Sequence, residues 1–164
     1  MTLDEFNSAP ADVATSALLT CCDVPGWAAT VRDGRPYPDI ESALDAADKA
    51  ARELAPADVD RALAAHPRIG ERAEGRGADA ELSREEQSGV STDARTRNAL
   101  LEGNRAYEER FGRVFLICAT GLSGDDVLAA LRERLGNDEQ TEAAVVADEL
   151  RKIAVLRLRK VLAG

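Results

Sequence analysis

An all-α fold, a single domain of about eight helices with one extended buried segment, is predicted by three features of the sequence. Apolar residues make up 45% of the chain and aromatics only 4%, with alanine and leucine prominent. That mixture favours helices over sheets. Apolar residues recur at helical spacing through several long stretches. Residues with strong β preference gather in one run only, 114–118, and no second convincing strand is there to pair with it. A chain of 164 residues is also long enough to bury a real core as one domain.

Taken in order, residues 10–22 (PADVATSALLTCC) form the first predicted helix, with proline at its start. Residues 25–33 (PGWAATVRD) read as a short helix or turn. Residues 39–54 place Ile40, Ala43, Leu44, Ala47 and Leu54 on one helical face. Residues 56–65 begin with Pro56 at a first-turn position. This helix must end near His66, because Pro67 pushes the residue before it out of the α region. Residues 70–82 are charged, glycine-bearing and without apolar period, which predicts a surface loop. Residues 83–90 predict a helical turn or two, and 92–112 a long helix stopped by Gly112. Residues 123–136 predict a helix capped by Ser123 and closed by Gly136. A long final helix spans 138–163. Between these lies RVFLICATG, 113–121, which reads as an extended buried segment or a helix start. Its backbone groups need partners, and a ligand is a candidate.

A net charge of −9 argues against nucleic acid and against anionic membranes as partners. It leaves room for a small anionic ligand, since one local cation reverses the field inside a pocket. No run of 18 apolar residues predicts a membrane span. The acidic start, MTLDEFNSAP, lacks the apolar core of a secretory signal, and the end, KVLAG, carries no peroxisomal tripeptide. Three cysteines, Cys21, Cys22 and Cys118, make a poor disulfide framework. They suit a reducing cytoplasm.

His66 is the only histidine in the chain. It falls at a predicted helix C-terminus, where the dipole favours the charged imidazolium. It reads either as a general acid or base or, more simply, as a helix-end side chain bonded to loose carbonyls. A lone histidine excludes a His-rich metal cluster, and the cysteine spacing matches no zinc signature. There is no G-x-S-x-G elbow and no phosphate loop. The three lysines, Lys49, Lys152 and Lys160, stand in charged helical surroundings unsuited to a Schiff base. If the chain is an enzyme, these exclusions point to acid–base chemistry without metal or organic cofactor.

Within SREEQ, 83–87, Ser83 and Glu86 fit a helix capping box; the alternative is that Glu86 and Gln87 point into a pocket. The spacing by itself prefers the cap. Arg157 is more telling. Stepping the final helix at about 100° per residue from Val146 puts Leu150, Ile153, Val161 and Arg157 within about 60° of zero, with Arg157 near 20°. Arg159 falls near 220°, beside Asp148 and Lys152. Arg157 therefore faces inward, and a buried arginine requires an anion or a dense set of acceptors. Either an internal salt bridge or a fork gripping a substrate carboxylate satisfies that need.

Taken together, AHPRIGE (65–71), SREEQ (83–87), NRAYEERFGRVFLICATG (104–121) and IAVLRLRKVL (153–162) resemble the 2-oxo-4-hydroxy-4-carboxy-5-ureidoimidazoline (OHCU) decarboxylase family of uric acid degradation. The order and spacing of these pieces are specific, and VPGW, with Trp27, matches a further family stretch near the N-terminus. The resemblance implies an all-helical cytoplasmic homodimer, without cofactor, that converts OHCU to S-allantoin. By position it implies His66 as catalytic histidine, Glu86 as its acidic partner and Arg157 as the carboxylate-binding arginine. Glu71, the acid nearest His66 in sequence, is not the matching one. Pro67, Ser83 and Gln87 match substrate-contacting positions. Phe115, Leu116, Ile117, Cys118 and Ala119 match the segment that offers backbone groups to the substrate. Thr120 stands where many members carry arginine, so any role of that arginine is missing here. Two competing readings are a non-catalytic helical interaction module, with Arg157 in a structural ion pair, and a lyase acting on a related imidazoline.

Overall fold

A computed structural model describes residues 1–69, 78–90 and 93–164. Among these residues there are nine helices and no strand, so the all-α expectation holds. The chain divides into two compact units, residues 1–62 with 150–164, and residues 63–149.

The first unit holds α1 (Leu3–Ser8), α2 (Ala11–Cys21), α3 (Pro25–Asp33), α4 (Ile40–Ala51) and α5 (Pro56–Leu63) up to Ala62, with the later part of α9 (Glu139–Leu162). Helix α1 is the one beyond the expected count of about eight. Its signal was present in the sequence as T-x-x-E. Thr2 accepts from the Glu5 N–H at 3.2 Å while Glu5 accepts from the Thr2 N–H at 2.7 Å, a reciprocal cap that stabilises even a six-residue helix. The Arg35 guanidinium then takes up carbonyls at its far end, Phe6 at 2.7 Å and Ala9 at 2.9 Å. Helix α4 starts as expected, with Asp39 capping the Ser42 N–H. It ends at Ala51, so Leu54 lies past its end and is only half-buried. Trp27 is a core anchor: 2% exposed, with its indole N–H donating to the Ala47 carbonyl at 3.0 Å.

The second unit holds α6 (Ala78–Glu86), α7 (Ala94–Phe111), α8 (Gly124–Arg134) and the first part of α9. The predicted loop 70–82 fares differently in its two parts. Residues 70–77 lie outside the described residues, whereas 78–82 are helical. Helix α6 therefore starts five residues before Ser83, which corrects the capping-box reading. Ser83 is inside the helix, its carbonyl accepting from the Gln87 N–H at 3.2 Å. The box motif matched, but the helix begins before it.

Helix α7 stops at Gly112 as the sequence predicts. Gly112 is left-handed at φ 69°, and its N–H returns to the Glu108 carbonyl at 2.8 Å. A Cβ there meets no atom within 4 Å, so Gly112→Ala incurs only the backbone cost, about 1–2 kcal/mol. Denaturant unfolding should register that loss with an unchanged m-value. Helix α8 begins with the expected Ser123 cap, completed by Asp126. Gly136 does not close it in left-handed form; its N–H bonds the Glu133 carbonyl at 3.1 Å in a tight final turn.

The core of this unit is built from Ile69, Leu100, Tyr107, Phe115, Ile117, Ala119, Val127 and Leu131. Phe115, Ile117 and Ala119 are alternate residues, the period of an extended chain. Residues 114–119 form no helix, in line with the extended reading of this segment. Beneath it lies a charge network. Glu142, with no exposure, accepts from Arg134 Nε at 2.8 Å, Arg134 Nη2 at 2.6 Å, the Tyr107 hydroxyl at 2.6 Å and Asn137 at 3.0 Å. Burial first, then the hydrogen bond to Glu142, pushes the Tyr107 hydroxyl up to about 12, so it remains a donor.

Candidate active site

The second unit assembles most of the residues that the sequence singles out. His66 follows the last turn after α5, and its N–H bonds the Leu63 carbonyl at 3.0 Å. This satisfies one of the helix's orphan carbonyls, and Pro67 prevents the helix from continuing. His66 and Pro67 are both half-buried. Helix α7 holds the residues that follow them. Asn104 donates to the Ile69 carbonyl at 2.8 Å, and the Arg68 guanidinium pairs with Glu108 at 2.5 and 3.2 Å. Asn104 and Glu108 are four apart and so share a helix face. The chain just past His66 is thus anchored at two successive residues.

On α6 and the turn beyond it, Ser83 is 4% exposed, Glu86 8%, and Gln87 half-buried. Their spacing of three and four residues puts all three on one side of the helix, and that side is the inward one. The pocket-facing alternative for Glu86 and Gln87 is therefore compatible with their burial, whereas the capping alternative is not compatible with the helix start.

Within 115–119 the backbone groups have distinct partners. The Leu116 carbonyl accepts from Arg134 Nη1 at 2.7 Å, the Cys118 N–H donates to Glu149 Oε1 at 3.3 Å, and the Ala119 carbonyl accepts from the Leu122 N–H at 3.0 Å. Ile117 is 8% exposed, and among the described residues no hydrogen bond uses its N–H or C=O. A buried backbone pair left without a protein partner is uncommon and suits recognition of a ligand amide.

Arg157 belongs to the first unit. It is 4% exposed, as the helical wheel requires, while Arg159 is exposed and pairs with Glu41 at 2.7 Å. One arm of the Arg157 fork donates to the Thr20 carbonyl at 3.2 Å. Cys22, in the same unit, is buried. Burial, with the neighbouring Cys21 and Asp23, pushes its thiol up to about 12 against the opposing pull of Arg157. It is thus a neutral thiol near pH 7 and an unreactive one.

Sequence reasoning missed Arg134, Glu142, Glu149 and Asn104. Two of them had a signal. Arg134 follows Val127 and Leu131 at spacings of seven and three, and Glu142 precedes Val146 and Leu150 at four and eight, so both fall on apolar faces as Arg157 does. Among the described residues, no group of three or more His, Cys, Asp and Glu is placed to hold a metal ion.

Comparison with known proteins adds an independent observation. The model of the family described as OHCU decarboxylase matches residues 7–159. The 2-oxo-4-hydroxy-4-carboxy-5-ureidoimidazoline decarboxylase of Haloferax volcanii is 29% identical over 162 residues, spanning 96% of this chain and 94% of that protein. Its counterpart from Amia calva is 33% identical over 144 residues, spanning 84% and 81%. Among solved structures, an OHCU decarboxylase crystallised in the presence of (S)-allantoin superposes with a TM-score of 0.74 at 26% identity, covering 89% of this chain and 96% of that one.

Proposed function

Because the chain belongs to the OHCU decarboxylase family, we propose that it is a carboxy-lyase converting OHCU to (S)-allantoin in uric acid degradation. The observation that carries this reading is the family match over residues 7–159, which takes in every motif named above but the last three residues of 153–162. One family domain then includes both compact units.

The chemistry follows from the substrate. The ring carbon that bears its carboxylate neighbours a ring C=N bond. When the C–CO2 bond breaks, its electron pair forms a C=C bond and the imine electrons move to nitrogen, which takes a proton. The enol that results loses its hydroxyl proton and gains one on the ureido-bearing carbon. The substrate is therefore its own electron sink, and the protein has to orient it and move protons. In this reading His66 and Glu86 handle the protons at the hydroxyl and at the developing stereocentre. Delivery from one face gives the S product. Arg157 binds the anionic group and so orients the scissile bond. Pro67, Ser83 and Gln87 shape the site, and residues 115–119 offer backbone groups, those of Ile117 foremost. The burial of Ser83 and Glu86 on one face and the unused backbone pair of Ile117 support these assignments.

Freshly prepared OHCU should release one equivalent of carbon dioxide per molecule consumed, at a rate proportional to protein. Absence of such release would remove the reading. Arg157→Lys keeps the charge but not the planar fork. It should raise KM by about tenfold or more, with a smaller change in kcat, as loss of one charge-assisted contact implies; steady-state kinetics on OHCU check this.

The resemblance also supports a homodimer acting in the cytoplasm. Among the described residues no helix is long and apolar enough to cross a membrane. Sedimentation equilibrium at assay concentrations would return twice the 17.5 kDa chain mass if the dimer reading holds, and the single chain mass if it does not.

A further inference from the structure

We propose that Arg134 and Glu149 are positioning residues, which grip one edge of the extended segment and thereby turn its other edge, that of Ile117, toward the substrate. In an extended chain the N–H and C=O of one residue point to the same edge, and those of its neighbours to the opposite edge. Leu116 and Cys118 therefore share an edge. The Leu116 carbonyl is held by the Arg134 guanidinium at 2.7 Å and the Cys118 N–H by the Glu149 carboxylate at 3.3 Å.

The grip uses both backbone polarities. A cation meets the acceptor and an anion meets the donor, so each bond is charge-assisted. Both charged residues are buried, Arg134 at 6% and Glu149 at 8% exposure. Arg134 is itself immobilised. Its other nitrogens are committed to Glu142 at 2.8 and 2.6 Å, and its guanidinium lies 4.4 Å from the Phe115 ring centroid. Below the segment, Phe115, Ile117 and Ala119 are fixed in the core. With one edge clamped and the side chains anchored, the backbone groups of Ile117 are left on the second edge without a partner among the described residues. Displacing reacting groups by about 1 Å can cost on the order of a hundredfold in rate, so a clamp on this backbone belongs to the catalytic apparatus although neither side chain need touch substrate.

This proposal rests on the substrate-binding role proposed for residues 115–119, and the test separates the two. Residue-resolved hydrogen exchange on the ligand-free protein should show the Cys118 amide protected at least tenfold more than the Ile117 amide. Adding (S)-allantoin should then protect Ile117 and leave Cys118 nearly unchanged. Glu149→Leu removes the acceptor. It should lose the Cys118 protection and raise KM for OHCU about tenfold or more. Glu149→Gln keeps a carbonyl acceptor and should retain the protection. A Cys118 amide that exchanges as freely as Ile117 in the wild-type protein would overturn the clamp, and that measurement needs no variant to fold. So would a folded Glu149→Leu protein with wild-type KM. If instead the wild-type protein leaves OHCU untouched while Cys118 is protected, the functional reading fails and the clamp stands as a feature of the fold.

Discussion

His66→Asn is expected to lower kcat on OHCU by about 10²–10⁴-fold, the usual contribution of a positioned proton-transfer group. The fold should survive. The backbone contacts that hold this stretch are not altered by the change. The His66 N–H still meets the Leu63 carbonyl at 3.0 Å, Pro67 still ends the helix, and Asn104 still holds the Ile69 carbonyl at 2.8 Å. His66 is also only half-buried, and substitutions of that kind away from a packed core change stability by about 0.5 kcal/mol. The diagnostic outcome is thus a separation of two measurements: an unchanged far-UV spectrum and melting temperature beside a collapsed kcat. If activity persists in a folded His66→Asn protein, proton transfer is not carried by this residue.

Glu142→Leu is expected to have the opposite signature, a large loss of stability. Glu142 is fully buried and takes two hydrogen bonds from Arg134 and one each from Tyr107 and Asn137. Removing it leaves the Arg134 charge buried without its counter-ion, which costs about 3–5 kcal/mol. For a chain of this size that lowers Tm by roughly 10 °C or more. Replacing both members, Arg134→Met with Glu142→Leu, should recover much of the loss, because an apolar pair removes the desolvation penalty. By contrast Arg159→Gln, at the exposed Arg159–Glu41 pair, should change stability by no more than about 0.5 kcal/mol. The same carboxylate gives a pH dependence. Burial pushes the Glu142 carboxyl up, but the hydrogen bonds from Arg134, Tyr107 and Asn137 outweigh it and leave it below the ordinary glutamate value. A group lowered on folding contributes stability above its unfolded pKa, about 4.3, and loses it as the pH falls through its folded value. Stability should be level with respect to this group above about pH 5 and fall into the acid range, and Glu142→Leu should flatten that fall.

What could be read from the sequence divides along physical lines. Arg157 and Arg159 are two residues apart with opposite fates, one 4% exposed and the other on the surface, and helical periodicity alone separated them. The Gly112 stop and the Ser123 cap were legible because helix ends are written in local chemistry. Local chemistry also misled. Ser83 and Glu86 satisfy a capping pattern, yet the helix starts at Ala78, since tertiary burial of the Ser83–Glu86 side decides where that helix runs. Arg134 and Glu142 carried the same periodic signal as Arg157. The contacts of Arg134 with Leu116, and of Glu149 with Cys118, join residues 18 and 31 positions apart. No local pattern encodes pairings of that range. The proposal of His66, Glu86 and Arg157 as a working set rests on the resemblance rather than on spacing, since each had a bland reading that the residues alone could not dismiss.

Stereospecific decarboxylation is read directly by circular dichroism. Urate, uricase and 5-hydroxyisourate hydrolase generate OHCU in the cuvette, and this protein is then added. A prompt dichroic signal of (S)-allantoin is expected, with an initial rate that scales with the amount of protein and is lost with His66→Asn. Slow formation of racemic allantoin at a rate indifferent to the protein would contradict it.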